Sequence, residues 1–337
     1  MAKVVFALNI LFSLCLLFCC LAPYISLERL PLLFIFSLTV PYLVAVNLFF
    51  LLYWLFSDHK RYLWLSLFSL VFAYLVLGTF YKFGEGDSRF LEGDLSILTF
   101  NSQGFHGNSL ERNPQLSKDI VDFITKQDAD IICFQEFDYA KIRSKDFKQY
   151  AHKYVNFEFG VNSGKVIQAI YSKYPIVGKG AVEFPKSGNN ALYADIAVEK
   201  DTVRVYNLHL QSLKVRPSSL RSEESQKLLK RLSTSFVKQQ QQAELVREHA
   251  AGTDLKKIIC GDFNNSQYSS VYADIKGDMA DSFMEMGKGY GRTYMFKFLP
   301  LRIDFIFVDP SMQVMGHKNF DQRLSDHFPV MASVRLH

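Results

Sequence analysis

Apolar positions follow two different patterns along this chain. From Val4 to Phe83 they run almost without interruption, whereas from Asp94 onward they fall into short runs separated by polar segments. Three stretches of the first region, Val4–Leu21, Leu32–Phe56 and Tyr62–Tyr81, carry no charged residue. A helix crosses a hydrocarbon core of about 30 Å with roughly 20 residues, so each stretch is long enough to span one. Lys3 ahead of the first stretch is also the flank of a cleavable signal peptide. Two further spans follow at once, which favours a retained three-helix anchor over residues 1–83.

Residues 84–93 hold glycines and charges without apolar periodicity and read as a linker. Beyond it, Leu95–Phe100, Ile131–Phe134, Val166–Tyr171, Leu192–Val198, Val203–Leu208, Lys257–Cys260 and Ile303–Val308 are short apolar runs of strand type. Leu116–Lys126 has helical spacing, as does Ser218–Ala250, where Leu229, Leu232, Phe236, Ala243, Val246 and Ala250 share a face. The Gln239–Gln242 run within the second pattern reads as a solvated helix face. No internal repeat is evident. Strands mixed with helices over 94–337 predict one α/β domain of layered sheets.

Composition refines this picture in two places. The chain has 337 residues and a net charge of +5, and from Asp94 onward 32 basic residues face 28 acidic ones, too small an excess to indicate nucleic acid by itself. The charges beside the spans are more informative, because Lys and Arg are retained on the cytoplasmic side. Lys3 precedes the first span, Lys60 and Arg61 lie between the second and third, and Glu28 and Arg29 cancel. Glu85, Asp87, Glu92 and Asp94 follow the third. This pattern predicts a multi-pass membrane protein with its N-terminus inside and residues 94–337 outside the cytoplasm. Cys15, Cys19 and Cys20 lie in the first span, while Cys133 and Cys260 sit in strand-type runs and show no metal-ligand spacing. The sequence leaves open whether the last two are bonded.

Candidate chemistry gathers where strand runs end, which is where α/β folds place reactive groups. Asn101 follows LSILTF, Glu136 follows DIICFQ, His209 follows VRVYNL, and Asp262 and Asn264 follow KIICG. Asp304 sits in RIDFIFVD, and Asp326 with His327 in LSDHFPV. Each alone is a turn former or cap; the ordered set calls for another account. The series TFNSQGF, IICFQEF, YSKYPI, VYNLHLQS, IICGDFNN, RIDFIFVD and SDHFPV resembles the motifs of the deoxyribonuclease-like endonuclease/exonuclease/phosphatase superfamily over Leu95–Val330.

That resemblance implies a four-layer α/β/β/α sandwich of two mixed β-sheets flanked by helices, here preceded by an all-α transmembrane region. It also implies metal-dependent cleavage of a phosphoester. Phosphate esters repel nucleophiles, so the chemistry needs a hard cation, an activated water and donors for the phosphoryl oxygens. Glu136 is the expected principal ligand of Mg²⁺, or of Mn²⁺, with Asn101 and Asp326 completing or orienting the site. Asp262 resembles the carboxylate that aligns or deprotonates the attacking water. Asn264 would point the same way if the segment stays extended, offering its amide to the phosphate. His209 and His327 are expected donors or acid–base groups, and by the resemblance Asp304 is the partner of His327. In GVNSGKVIQAI, Lys165 and Gln168 depart from the small residues common in the superfamily.

The favoured substrate is a phosphodiester or phosphomonoester of a lipid head group or a small phosphorylated metabolite, because an anchor raises the effective concentration of membrane substrates. A membrane-tethered nuclease acting on DNA or RNA uses the same residues, with Arg216, Arg221 and Lys227 as phosphate contacts. A silent binding protein is disfavoured by the complete motif set. No protein partner is evident.

Overall fold

The computed structural model describes residues 1–25, 32–84, 90, 93–105, 114–142, 144–157, 165–213, 225–296 and 299–336. Most of the expected linker, the start of the Ser218–Ala250 pattern, Arg216 and Arg221 lie outside the described residues. The chain forms two compact units. The first comprises Met1–Tyr81, Leu213–Gln241 and Asn265–Asp274, and the second Lys82–Ser212, Gln242–Asn264 and Ile275–His337.

In the first unit the apolar stretches form α1 (Ala2–Cys19), α2 (Leu32–Leu55) and α3 (Leu63–Leu77). By length and composition these helices, the third extended by its preceding turn from Lys60, can cross a membrane. Leu8, Leu11, Leu14, Phe49, Leu52, Trp64, Phe68 and Leu75 point outward, and the polar side chains point in. Asn9 Nδ2 donates to Ser66 Oγ at 2.9 Å, Trp54 Nε1 to Asn9 Oδ1 at 2.9 Å and Ser13 Oγ to Asn47 Oδ1 at 2.8 Å. This chain ties all three helices together, as expected where surroundings as apolar as the side chains leave packing and polar contacts to hold helices in register.

The second unit is built on two six-stranded mixed sheets. In chain order the remaining elements are β1 (Leu95–Asn101), α4 (Pro114–Gln127), β2 (Ile131–Gln135), β3 (His152–Val155), β4 (Ala169–Ser172), β5 (Ile176–Glu183), β6 (Asn190–Val198) and β7 (Asp201–His209). Then come α5 (Ser225–Ala251), β8 (Lys256–Asp262), α6 (Ser270–Lys276), β9 (Ala280–Asp281), α7 (Ser282–Met286), β10 (Tyr294–Phe296), β11 (Leu299–Leu301), β12 (Asp304–Val308), β13 (Gln313–Asn319) and β14 (Val330–Arg335). One sheet has the order β13-β14-β1-β2-β4-β3 and the other β5-β6-β7-β8-β12-β9, with β10 and β11 as a separate hairpin. Each sheet contains one parallel pair, β1 with β2 and β7 with β8. A parallel pair needs a long crossover, which α4 and α5 supply.

The period of two sorts the apolar side chains. Ile97, Ile131, Cys133 and Ile170 of one sheet and Val203, Val205, Ile258 and Cys260 of the other share the core between the sheets. On the opposite face of the first sheet, Leu98, Phe100, Ile132 and Phe134 pack on Ile120, Phe123 and Ile124 of α4. The expected sandwich of two mixed sheets flanked by helices is thus the observed one. β3, β5, β13 and β14 were not among the expected strands. β5 is an edge strand of sequence IVGKGAVE, in which Gly178, Lys179 and Gly180 interrupt the apolar run.

The glutamine run departs from its expected role. Gln239, Gln240 and Gln242 are buried, because their amides serve the loops around them. Gln239 Oε1 accepts from Asn265, Gln240 Oε1 from Ser270 Oγ, and Gln242 Oε1 from the Gln211 N–H.

His317 on β13 is neutral at ordinary pH. Its Nδ1 contacts Ser282 Oγ at 2.9 Å and its Nε2 contacts Asn319 Oδ1 at 3.1 Å. Burial, then Arg302, lowers its pKa to about 4 despite Asp281. Because the unfolded chain takes up this proton first, its stabilising contribution is complete above about pH 6.5 and is lost as pH falls toward 4, up to about 3 kcal/mol. Thermal unfolding of His317→Gln between pH 7.5 and 4.5 is therefore expected to be less pH-dependent than that of the parent chain.

Candidate active site

All eight residues singled out in the sequence belong to the second unit, and the strand pairing explains why they meet. The parallel strands β1 and β2 bring Asn101 and Gln135 level, and β7 and β8 bring His209 and Asp262 level. β12 runs antiparallel to β8 with Asp304 opposite Asp262, so a residue that begins one strand meets one that ends its neighbour. β14 runs antiparallel to β1 and starts opposite Thr99, which returns the Asp326–His327 loop to the same end.

Asp262 is the centre of the arrangement. Asn101 Nδ2 donates to its Oδ2 at 2.9 Å, the Asn264 N–H donates to its Oδ1 at 2.8 Å, and Asn264 Nδ2 donates to Oδ2 at 3.0 Å. His209 Nε2 and His327 Nε2 each stand 3.6 Å from Oδ2. The strand reaches this point through Gly261, where φ is +132° and a Cβ would lie 2.1 Å from the Leu208 carbonyl oxygen of β7. A side chain at 261 would therefore push β7 and β8 apart, displacing His209 from Asp262.

Asp304 holds His327, with Oδ2 at 2.9 Å and Oδ1 at 3.1 Å from Nδ1. Thr293 fixes both partners. Its Oγ1 accepts from the Asp304 N–H at 3.0 Å, and its carbonyl accepts from the Phe328 N–H at 2.7 Å. Burial pulls the His327 pKa down, but Asp304, Asp262 and Asp326 outweigh it and raise the group to about 10, so the ring is an imidazolium at neutral pH. Burial pushes Asp262 up to about 6 against the pull of the two histidines, leaving it a carboxylate of raised basicity. Burial lowers His209, which stays neutral. The same desert of solvent thus keeps one imidazole charged and its neighbour uncharged, because only the first is bonded to a carboxylate.

Glu136 occupies the left-handed region at φ +50° directly after β2, a strained setting that turns its carboxylate out of the strand line. Its Oε1 lies 3.3 Å from Asn101 Nδ2 and 3.6 Å from His209 Nε2. Burial, with Asp326 nearby, raises its pKa although Asn101 and His327 oppose. Asp326 Oδ2 accepts from Gln103 Nε2 at 3.3 Å.

One of the eight departs from its expected conformation. Asn264 is not extended: its φ is +51°, and its amide donates to Asp262 and to the Leu210 carbonyl at 3.1 Å. It therefore helps to orient Asp262. Asn101 Oδ1 accepts the Gln103 N–H at 3.1 Å, so the amide turns its NH₂ to the carboxylates. Asn101 therefore bridges Glu136 and Asp262.

The donor set fits a hard cation at Glu136. Oxygen donors suit Mg²⁺, which takes few protein carboxylates, and the two acids Glu136 and Asp326 face amides and a neutral histidine. Among the described residues, Asp262, Asp304 and His327 also hold potential ligand atoms within 4.8 Å of one another. In that group His327 Nδ1 is already engaged by Asp304.

Tyr294 on β10 was missed in the sequence. Its ring lies 4.9 Å from that of His327, and burial with Asp326, Asp262 and Asp304 pushes its hydroxyl up to about 12. It remains an O–H donor beside the carboxylates. Within TYMF it looks like any strand aromatic. Tyr171 is a core aromatic that packs with Phe134, Phe137, Phe147 and Tyr150.

Comparison with known proteins gives a family for the second unit. The sequence model of the Endonuclease/Exonuclease/phosphatase family matches residues 98–327, and that of a Domain of unknown function (DUF8431) matches residues 2–80. No curated protein sequence matches significantly. Among solved structures, the endonuclease/exonuclease/phosphatase from Beutenbergia cavernae DSM 12333 is 17% identical, with a TM-score of 0.55 over 73% of this chain and 72% of that one. TDP2 of D. rerio, complexed with single strand DNA product, is 16% identical, with a TM-score of 0.54 over 72% of this chain and 100% of that one. The catalytic domain of human nocturnin, with bound sulfate anion, is 15% identical, with a TM-score of 0.52 over 74% and 97%. At these identities the structures establish a common fold. With the family match spanning more than half its length, from β1 to His327, this chain belongs to the endonuclease/exonuclease/phosphatase family of phosphodiesterases, nucleases and phosphatases.

Proposed function

We propose that this protein is a membrane-anchored, divalent-metal-dependent hydrolase of phosphoesters, acting on a lipid head group or a small phosphorylated metabolite. The observation that carries the reading is the Asp262 carboxylate held by Asn101 and Asn264 between a neutral and a charged histidine, with Glu136 beside it. Asp262 accepts a proton from the attacking water, and its raised basicity suits that task. Asn101 and Asn264 hold the acceptor oxygens in line. The His327 imidazolium, kept protonated by Asp304, donates to a phosphoryl oxygen as charge builds there. His209 lends an uncharged Nε2–H donor on the other side. A cation bound by Glu136, with Asp326 and Asn101 adding oxygens, would polarise the phosphoryl group and offset its charge.

The three apolar helices support the substrate preference, since an anchor concentrates the site at a bilayer. The flanking charges Lys3, Lys60 and Arg61 support a multi-pass arrangement with the catalytic unit outside the cytoplasm. TDP2 complexed with single strand DNA product, which shares the fold, supports the second reading of a tethered nuclease.

The test is turnover by the detergent-solubilised full chain. Hydrolysis of bis(p-nitrophenyl) phosphate is expected to vanish on chelation with EDTA and to return with Mg²⁺ or Mn²⁺. Absence of turnover with either ion would overturn the reading. Phospholipid in vesicles is expected to be cleaved faster than single-stranded DNA; the opposite preference, with rates falling steeply with salt, would establish the nuclease.

A further inference from the structure

We propose that Gln135 and Asn207 are positioning residues, bonded across the two sheets of the second unit so that the catalytic groups carried by each sheet meet at a fixed separation. The proposal rests on the roles given above to Glu136, His209 and Asp262.

The site is divided between the sheets. Asn101 ends β1 and Glu136 follows β2, whereas His209 and Asp262 end β7 and β8 of the other sheet. Two contacts that define the site cross the gap: Asn101 Nδ2 to Asp262 Oδ2 at 2.9 Å and Glu136 Oε1 to His209 Nε2 at 3.6 Å. Deeper in the gap the two inner faces are apolar. Apolar packing is non-directional, whereas a hydrogen bond fixes the distance and direction between two named atoms.

The period of two shows where the apolar core stops. On β2, Ile131 and Cys133 are followed on the same face by Gln135, and on β7, Val203 and Val205 are followed by Asn207 and then His209. On β1, Leu95 and Ile97 are followed by Thr99 and then Asn101. Between the apolar residues and the catalytic ones lies a buried polar step, and its amides tie the sheets together. Gln135 Nε2 donates to Asn207 Oδ1 at 2.5 Å and to Thr99 Oγ1 at 3.0 Å. Asn207 Nδ2 returns to the first sheet, donating to the Phe134 carbonyl at 2.9 Å and the Ala169 carbonyl at 3.3 Å. A second tie lies beside it. Gln168, just before β4, donates through Nε2 to the carbonyl and to Oδ1 of Asn190 on β6, both at 2.8 Å, and Asn190 is the ladder partner of His209. The glutamine that departs from the small residues of the superfamily thus belongs to this polar step.

Gln135 immediately precedes Glu136, and Asn207 stands two residues before His209. The bond between them therefore sets how β2 lies against β7 directly beneath the reacting groups. Without it the sheets stay packed through their apolar faces but lose this alignment, and small displacements of a catalytic group cost large factors in rate.

The experiment uses the full chain in detergent with Mg²⁺ and water-soluble bis(p-nitrophenyl) phosphate. Asn207→Leu and Gln135→Met are each expected to lower kcat about tenfold or more with KM within about twofold, and the double variant to fall short of the product of the two losses. Val203→Ala, which opens the apolar part of the same core, is expected to lower the melting temperature while kcat stays within about twofold of the parent. Crystal structures of the parent and of Asn207→Leu are expected to differ by about 1 Å in the Glu136–His209 or Asn101–Asp262 separation. A folded Asn207→Leu with parental kcat and parental separations overturns the proposal, as does a Val203→Ala that loses as much kcat as Asn207→Leu. If the parent chain turns over nothing, the functional reading has failed instead, and the two separations alone decide whether the amides align the sheets.

Discussion

Asp262→Asn is expected to reduce kcat for a phosphodiester by about 1,000-fold while leaving the fold and KM nearly intact. The size follows from the contribution of a positioned general base, on the order of 10²–10⁴-fold. The sparing of the fold follows from the surroundings. The amide oxygen can still accept from Asn101 Nδ2 and Asn264 Nδ2, 2.9 and 3.0 Å away, so only the bond from the Asn264 N–H is lost, and the replacement is nearly isosteric. What is lost is the basicity conferred by burial, together with the negative charge facing His209 and His327. Steady-state kinetics, with circular dichroism as the control for folding, make the comparison. Parental kcat in the variant would remove Asp262 from the mechanism.

Glu136→Gln and His327→Gln are expected to divide along a different line. The glutamate variant should raise the Mg²⁺ concentration needed for half-maximal activity by a factor of at least about 10–100, the range seen when even outer partners of metal ligands are removed. The histidine variant should lower kcat at saturating Mg²⁺ and change the metal requirement little, since His327 Nδ1 is already engaged by Asp304 at 2.9 Å. Activity titrated with Mg²⁺, and calorimetric binding of Mn²⁺, check both. If His327→Gln weakened metal binding more than Glu136→Gln, the Asp262–Asp304–His327 group would be the cation site and Glu136 would need another role.

How far these roles could be read in the sequence differs from residue to residue. Glu136, His209 and Asp262 end strand-type runs, and a strand end is a local signal: polar residues appear where apolar ones stop. Asp304 and His327 were recognisable through short motifs with fixed neighbours. Tyr294 and Thr293 carry no such mark, because their importance comes from standing beside His327 and Asp304 across a loop. The glutamines of α5 were misread for a related reason. A polar run on a helix is usually solvated, and only the loops packed over it reveal that Gln239, Gln240 and Gln242 are hydrogen-bonded and buried.

The sequence by itself determined the division into three uncharged apolar spans and an α/β region, since hydrophobic periodicity is a property of neighbours along the chain. It likewise named the residues that converge on Asp262. Only the tertiary structure decided what each of them faces. Asn264 turns back onto Asp262, Asn101 directs its NH₂ to two carboxylates, and the two histidines hold opposite charge states. The physical reason is that orientation and proton affinity depend on local backbone turns, as at Asn264, and on partners that strand pairing brings from distant parts of the chain, as Asn101 and Asp262 are 161 positions apart.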